Sequence, residues 1–464
     1  MEETQESQVE EHSNEKQSVY IRTFGCQMNE YDTQKLYKIL EKDYQPVDAP
    51  EKADLVLINT CSVRDKPEQK LYSILGELKG IRRDSKPDMM VGVCGCVAQQ
   101  EGENIIKHGR GVDFVFGTHN LSLVPSLIQL RKNGAPPQVA VDYREEWEDL
   151  PLGFAEVDPT RNGQKQHVTA FISISRGCNK NCTYCIVPTT RGPEVSRTME
   201  EIEREVKIAV HRGSKEIVLL GQTVNSYGRD LSPRVSFVEL LDRVGAIDGV
   251  ERIRFTSPHP QEVRQDFIDC VVSNPKVCRH IHMPLQSGSD AILKSMNRNY
   301  RREKYLSIIA KLKERVPDMA ITTDIIVGFP GETEKDFEET LEIMDIVGFE
   351  NSYSFAFSSR PGTPAAEMQE LLSHEEKLER LQRLQAKQEE ITSQKLDSWV
   401  GREVEVLIDN VNQHRDGCFQ GRISQNFMLN FDKPFNGLSI GSVVRARVTG
   451  RKRFTLVGEP IFVE

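Results

Sequence analysis

Cys178, Cys182 and Cys185 stand in a C-x3-C-x2-C spacing directly after Arg176-Gly177. Three thiolates on so short a loop can grip one face of a metal group, and three is one fewer than a structural zinc site normally takes from its protein. No fourth Cys or His lies within reach in this segment. A 4Fe-4S cube held by three cysteines keeps one iron open, and that corner can chelate the amino and carboxylate groups of a substrate. Iron–sulfur chemistry is the expectation, against zinc or unligated structural thiols.

Cys26, Cys61 and Cys96 look unrelated along the chain, yet each directly follows a segment that reads as a parallel strand. Carboxyl ends of strands in an open α/β sheet share one edge, where ligands bind, so the three thiols can converge. Their settings are Phe24-Gly25-Cys26-Gln27-Met28-Asn29, Asn59-Thr60-Cys61-Ser62-Val63-Arg64 and Gly95-Cys96-Val97-Ala98-Gln99. Cys94 competes with Cys96 at the same strand end. Cys96 is preferred because a glycine precedes it, as Gly25 precedes Cys26, which places it past the strand in a turn. Spacing alone leaves two readings open, a second metal group or three small buried hydrophobes. Cys270, Cys278 and Cys418 have no such placement and read as structural or surface thiols.

The elements that must position these thiols follow from the pattern. Strands at 19–24, 53–60, 89–93 and 112–116 alternate with amphipathic helices, which means a parallel α/β sheet. Gly, Pro and charge then dominate residues 135–163, a linker. A second alternation has strands at 170–175, 216–221, 252–256, 280–283, 320–327 and 352–357, and six such repeats suit a partial β/α barrel. A charged helix over 373–396 follows, with Leu371, Leu378, Leu381 and Leu384 as a packing stripe. Short alternating strands from Gly401 onward make a small antiparallel OB-like barrel. The fold class is α/β, with domains at 18–134, 164–396 and 397–464 after an acidic tail over 1–17.

The whole chain has 464 residues and a net charge of −10, so any nucleic acid must be met by a local basic face. The carboxyl-terminal stretch from Lys395 supplies one, at +2, with Arg445, Arg447, Arg451, Lys452 and Arg453 clustered. Phe419 and Phe427 are candidate base-stacking platforms there. The opening stretch carries Glu2, Glu3, Glu6, Glu10, Glu11 and Glu15 against Lys16, the opposite of an export signal. No apolar run reaches the roughly 18 residues of a membrane span. A cytoplasmic protein with reduced thiols is expected.

The segment from Cys178 to Cys185, with Tyr184 before its last cysteine, resembles the radical S-adenosylmethionine superfamily. That resemblance implies a partial barrel, an open iron that binds S-adenosylmethionine, and cofactor contacts from Tyr184 and from three strand-end loops. The residues so implied are Gly221, Gln222 and Asn225, then Gln286 and Ser287, then Asp324. The three amino-terminal cysteine motifs are similar to those of the methylthiotransferases, in which the domain holds a second three-cysteine 4Fe-4S cluster. Gln27-Met28 and the stretch from Arg191 to Arg197 look most like the tRNA-2-methylthio-N6-dimethylallyladenosine synthases. A branch acting on a ribosomal protein has Pro-Lys in place of Gln27-Met28, and one acting on threonylcarbamoyladenosine has Lys-Val. The last domain resembles a TRAM module.

The implied chemistry uses two S-adenosylmethionine molecules per turnover. One methylates sulfur at the auxiliary cluster. The other is cleaved at Cys178, Cys182 and Cys185 to a 5′-deoxyadenosyl radical, which takes hydrogen from C2 of the modified adenosine at tRNA position 37. An unactivated aromatic C–H offers nothing to an ordinary acid, base or nucleophile. The tRNA anticodon stem-loop, a reductase or flavodoxin-like electron donor and a sulfur source are the implied partners of a monomer. His259 and His282, at strand ends, read as positioning groups. The rival from another class is a non-catalytic RNA-binding zinc protein.

Overall fold

The structure is a computed structural model that describes residues 16–62, 67–109, 111–144, 146–148, 150–155, 168–412, 417–435 and 437–461. The acidic tail as far as residue 15, Val63-Arg64 of the second cysteine motif, and Pro159 and Asn162-Gly163 of the linker lie outside them.

The first domain runs β1 (Gln17–Thr23), α1 (Gln27–Leu40), β2 (Tyr44–Pro46), β3 (Leu55–Thr60), α2 (Pro67–Asp84), β4 (Met90–Gly95), α3 (Cys96–Glu101), α4 (Glu103–His108), β5 (Phe114–Phe116), α5 (Val124–Lys132) and β6 (Gln138–Ala140). All strands pair in parallel, in the order β2-β1-β3-β4-β5-β6. β3 reads Leu-Val-Leu-Ile-Asn-Thr and is buried along its whole length, because helices cover both faces of a parallel sheet. Leu55 and Leu57 enter one core with Phe114 and Phe116, while Val56 and Ile58 enter the other beneath α2. The four expected strands are present. β2 and β6 extend the sheet at its edges. β6 corrects the linker reading: after Pro136-Pro137, three residues suffice to pair with β5.

The second domain contains β7 (Thr169–Ser173), β8 (Ser175–Arg176), α6 (Val187–Arg191), β9 (Val195–Ser196), α7 (Met199–His211), β10 (Glu216–Leu220), α8 (Phe237–Gly245), β11 (Arg252–Phe255), α9 (Gln265–Ser273), β12 (His280–His282), α10 (Asp290–Ser295), α11 (Arg302–Arg315), β13 (Ala320–Val327), α12 (Glu334–Val347), β14 (Asn351–Ala356) and α13 (His374–Asp397). β11-β10-β7 and β12-β13-β14 are parallel sheets, joined where Ile253 bridges Val277. Six strands thus form an arc, and among the described residues no ladder closes β14 back onto β7. Ile172, Leu219, Ile253, Ile321 and Ile325 point outward into one large core under the helices. Their strand neighbours point inward.

The leucine stripe of α13 is half correct. Leu384 is buried and Leu381 packs on the same core, but Leu371 and Leu378 are exposed. The helix starts only after its Ser373 cap, and Lys377 and Arg380 occupy the buried face instead. Arg380 can be there because Glu332 accepts from it at 2.7 Å.

Two contacts fix the flanking domains on the arc. Met28 and Tyr31 of α1 pack on Phe171, Val218 and Leu220 of the inner face. Beside them Lys35 of α1 and Arg197 both pair with Glu205 of α7, all three almost wholly buried. The last domain comprises β15 (Glu403–Val411), β16 (Phe419–Ile423), β17 (Met428–Phe431), β18 (Val443–Arg451) and β19 (Leu456–Pro460), a closed barrel in the order β15-β16-β17-β19-β18. All its pairings are antiparallel except β17 with β19. It sits at the amino-terminal ends of the arc's strands. There Arg252 donates to the carbonyls of Arg422 and Glu405, and Arg254 donates to those of Ile423 and Ser424.

Candidate functional site

Cys26 caps α1, Cys61 follows β3 and Cys96 opens α3. Glycine makes their approach possible. At Gly25 (φ +131°) an added Cβ would lie 2.6 Å from Cys61 Cβ and 3.1 Å from its Sγ. At Gly95 (φ +91°) it would lie 2.5 Å from Asn59 Oδ1. Cys94 points the other way, into the core with Phe114 and Phe116, and burial drives its thiol well above the usual range. Burial also raises the Cys96 thiol, but Arg191 pulls it back, with Cys26 close enough to be felt.

Arg191 is the last residue of α6, which begins two residues after Cys185. Its guanidinium, buried, donates to Asp32 Oδ2 at 2.9 Å and Asn29 Oδ1 at 3.3 Å. Five helical residues span about 7.5 Å, so the two thiol sets face each other across a short helix. His119 fastens it further: Nε2 donates to the Arg191 carbonyl at 2.9 Å, and Nδ1 accepts from the Arg144 amide at 3.3 Å. Both ring nitrogens are thereby used in the neutral form, and burial lowers the His119 pKa to about 4. A folded-state pKa below the unfolded 6.5 means that the unfolded chain binds the extra proton first. Stability is therefore untouched above pH 6.5 and falls below it, by about 2 kcal/mol at pH 5 for this one group. Urea titrations at pH 7 and pH 5 on the protein and on His119→Gln measure this, and the variant will show the smaller acid loss.

The second trio lies on the loop after β8. Gly177 (φ +74°) has no room for a Cβ, which would strike the Pro193 carbonyl. Cys178 donates its amide to the Gly192 carbonyl at 3.1 Å, and its Sγ meets Thr223 Oγ1 at 3.5 Å. Cys185 N–H donates to the Cys182 carbonyl at 3.1 Å. Burial pushes the Cys185 thiol up to about 12 and also raises Cys178, so ligation by metal would be needed to hold these thiols deprotonated. Arg298, buried, reaches Cys182 Sγ at 3.7 Å and donates to the Pro284 carbonyl at 2.9 Å. Tyr184 packs edge-on against Phe329.

Around this loop the strand ends carry buried polar atoms without a hydrogen-bond partner: Ser175 Oγ, Gln222 Oε1, Ser226 Oγ and His259 Nε2. A polar group bound here would satisfy them. A Cβ on Gly221 would sit 2.7 Å from Ser175 Oγ, so β10's end closes onto the cysteine loop. Of the other expected contacts, Asn225 and Ser287 have their side chains engaged within the fold. Asn225 spends its amide on the His259 backbone, at 2.8 and 3.0 Å. Ser287 is fully buried with its hydroxyl 3.4 Å from Thr340 of α12. Gln286 (φ +76°) lies buried four residues past β12, its backbone bonded to Asp324 and Ile326. Asp324 and His282 face each other on the arc's inner wall at 3.3 Å. Among the described residues no three Cys, His, Asp or Glu close around a single metal-ion position.

At the far end, the five basic residues each have an acidic partner. Arg445 and Arg447 share Glu403, Arg451 pairs with Asp397, Lys452 with Asp432 and Arg453 with Glu389. Phe427 is a core residue against Trp399, and Phe419 packs on the same core, so neither is a stacking platform. The exposed aromatic is Phe454, with the Arg453 guanidinium 4.9 Å from its ring.

Three family models match in the order of the domains: Uncharacterized protein family UPF0004 over 18–117, the Radical SAM superfamily over 172–344 and the TRAM domain over 397–461. A tRNA-2-methylthio-N(6)-dimethylallyladenosine synthase of Acetivibrio thermocellus is 45% identical over 94% of this chain and 90% of its own. The chain belongs to that family. The synthase of Geotalea uraniireducens is 44% identical over 95% of this chain and 98% of its own, and that of Clostridium botulinum strain Okra is 42% identical over 95% and 96%. Among solved structures, the radical S-adenosylmethionine methyltransferase TsrM of Kitasatospora setae aligns with a TM-score of 0.56 at 14% identity, covering 76% of this chain and 77% of that one. That likeness concerns the fold alone.

Membership makes the chain a radical S-adenosylmethionine enzyme, with iron–sulfur and S-adenosylmethionine as its cofactors. The unpartnered atoms around Cys178 to Cys185 fit such a pair. Sequence reasoning missed Arg191 and Arg298, each a buried guanidinium beside one thiol trio. Arg191 stands inside a quoted motif, which was the available signal. Arg298 carried none.

Proposed function

We propose that this synthase installs a methylthio group at C2 of N6-dimethylallyladenosine at tRNA position 37, with one 4Fe-4S cluster on Cys178, Cys182 and Cys185 and a second on Cys26, Cys61 and Cys96. The observation that carries this reading is α6, which starts at one thiol trio and ends with Arg191 beside the other. When bound, the clusters and S-adenosylmethionine supply a carbon radical and an activated sulfur, which an aromatic C–H requires. The chain's own groups do the rest. Arg191 and Arg298 place buried positive charge against thiolates, Gly221 lets the β10 loop approach, and Gln222, Ser175 and His259 offer unspent polar atoms to a ligand's amino acid and sugar. Met28 and Tyr31 close the inner face beside β7 and keep bulk water from that side.

The TRAM arginines fit phosphate contact in spite of their acidic partners, since exposed ion pairs are worth only about 0–1 kcal/mol. RNA phosphates can take the place of Glu403, Asp397 and Glu389. Such contacts hold the RNA without reading its sequence. A cytoplasmic location agrees with this reading, and no described helix is long and apolar enough to cross a membrane.

Anaerobic reconstitution tests the assignment. It is expected to give about eight irons per chain, 5′-deoxyadenosine on reduction, and a 2-methylthio mark detected by mass spectrometry on dimethylallylated tRNA. Tetrahedral zinc with no S-adenosylmethionine turnover would overturn it.

A further inference from the structure

β14 has its large residues on the unexpected face. Ser352 and Ser354 alternate with Tyr353 and Phe355, which are 57% and 39% exposed. Tyr353 is in register with Asp324 and Phe355 with Ile326 on β13. These two rungs lie on the inner face, since Ile325 and Val327 enter the outer core. Aromatic area left open on a concave wall and rimmed by polar groups marks a ligand surface rather than packing.

The rim is specific. His282 Nε2 faces Asp324 Oδ1 at 3.3 Å, its Nδ1 lies 3.1 Å from Thr322 Oγ1, and its ring stands edge-on to Tyr353 at 5.6 Å. Ile326 and Tyr184 both pack on the buried cluster that contains Phe329, so the upper rung adjoins the cysteine loop. Asp324 lies two residues deeper, about 6.6 Å along the strand. An adenine whose C2 faces the thiols turns its N6 side away from them, down the strands toward Asp324. With the alkyl group of an N6-alkylated adenine on the N1 side, the one N6–H left points straight away from C2, where a carboxylate accepts it, and the apolar tail turns back toward the upper rung, where it needs apolar surface.

We propose that Tyr353 and Phe355 form the wall on which the flipped, N6-alkylated adenine of the RNA lies, with Asp324 accepting its N6–H and Phe355 and Ile326 covering the alkyl tail. This rests on the functional reading above and reassigns Asp324 from cofactor to RNA base. It makes β14 the element that distinguishes alkylated from plain adenine. Unstacking the base is the cost common to enzymes that act on bases, and stacking on an aromatic wall offsets it.

The test is the affinity of the reconstituted protein for two anticodon stem-loops, one with dimethylallylated and one with plain adenosine at position 37, read by fluorescence anisotropy. The unaltered protein is expected to prefer the alkylated RNA by about tenfold or more. Phe355→Ala will bring that ratio close to one, Phe355→Leu will keep most of it, and Tyr353→Ala will weaken binding of the alkylated RNA by about tenfold. Ile346→Ala, at an exposed site on α12, leaves the ratio unchanged. Both wall residues are exposed, so melting curves of the variants should match the parent. A preference retained in Phe355→Ala and Tyr353→Ala overturns the wall and leaves the functional reading standing. Equal binding of both RNAs by the unaltered protein overturns the substrate reading and the wall together.

Discussion

Alanine at Cys26, Cys61 and Cys96 together will leave a protein that still cleaves S-adenosylmethionine to 5′-deoxyadenosine but transfers no methylthio group to RNA. Alanine at Cys178, Cys182 and Cys185 will abolish both. The asymmetry follows from where the thiols sit. The second trio lies on the loop at the carboxyl ends of the barrel strands, where barrel enzymes keep their chemistry, and is touched by Thr223 and Arg298 of that barrel. The first trio belongs to a separate sheet with its own cores. Each triple variant should retain about four irons per chain, which shows that the other site still assembles. Parallel assays of 5′-deoxyadenosine and of methylthiolated nucleoside decide the matter. Methylthiolation surviving in the first variant would remove the amino-terminal domain from the reaction.

Glu205→Gln will destabilise the protein by about 3–5 kcal/mol, the usual consequence of stranding buried charge. Glu205 is the shared partner of Lys35 and Arg197, and all three are at most 4% exposed. An amide keeps the shape but leaves two buried cations without an anion. The control is Glu203→Gln on the same helix, whose partners Lys207 and Arg243 reach solvent. Its cost will be below about 1 kcal/mol. Urea midpoints measure both. Because Lys35 docks the first domain on the barrel, the Glu205 variant will also loosen that junction.

The pH dependence has a sign that can be worked out. Burial alone would raise the Glu205 carboxyl, but Lys35 and Arg197 together bring it below its ordinary value. Its contribution is thus full above the unfolded carboxyl pKa of about 4.5 and is lost only as pH falls through the lower folded value. The earlier acid weakening belongs to the buried neutral imidazoles, His119 together with His259 and His280, whose pKa values burial also lowers.

Much of this was legible in the sequence because it is local. A glycine before Cys96 and none before Cys94 put Cys96 past the strand, where it opens α3 rather than lying in the expected turn, while Cys94 stays in β4 with its side chain in the core beside Phe116. Period-two and helical patterns placed the six arc strands and the five of the small barrel. What escaped depends on partners far apart in the chain. Arg191 meets Asp32 across 159 positions, and nothing near either residue announces the other. Phe427 and Phe454 show a further limit: both are aromatic neighbours of turns, and only closure of the barrel decides that the first is covered and the second is not.

The small barrel's grip on the arc decides from which end ligands can arrive. Arg252 and Arg254 hold backbone carbonyls, which cannot be titrated or screened away as a carboxylate can, and Glu216 locks Arg254 from behind at 2.8 Å. The small barrel thus stoppers the amino-terminal ends of the arc's strands, and whatever reaches the thiols at the opposite ends has to arrive by another route.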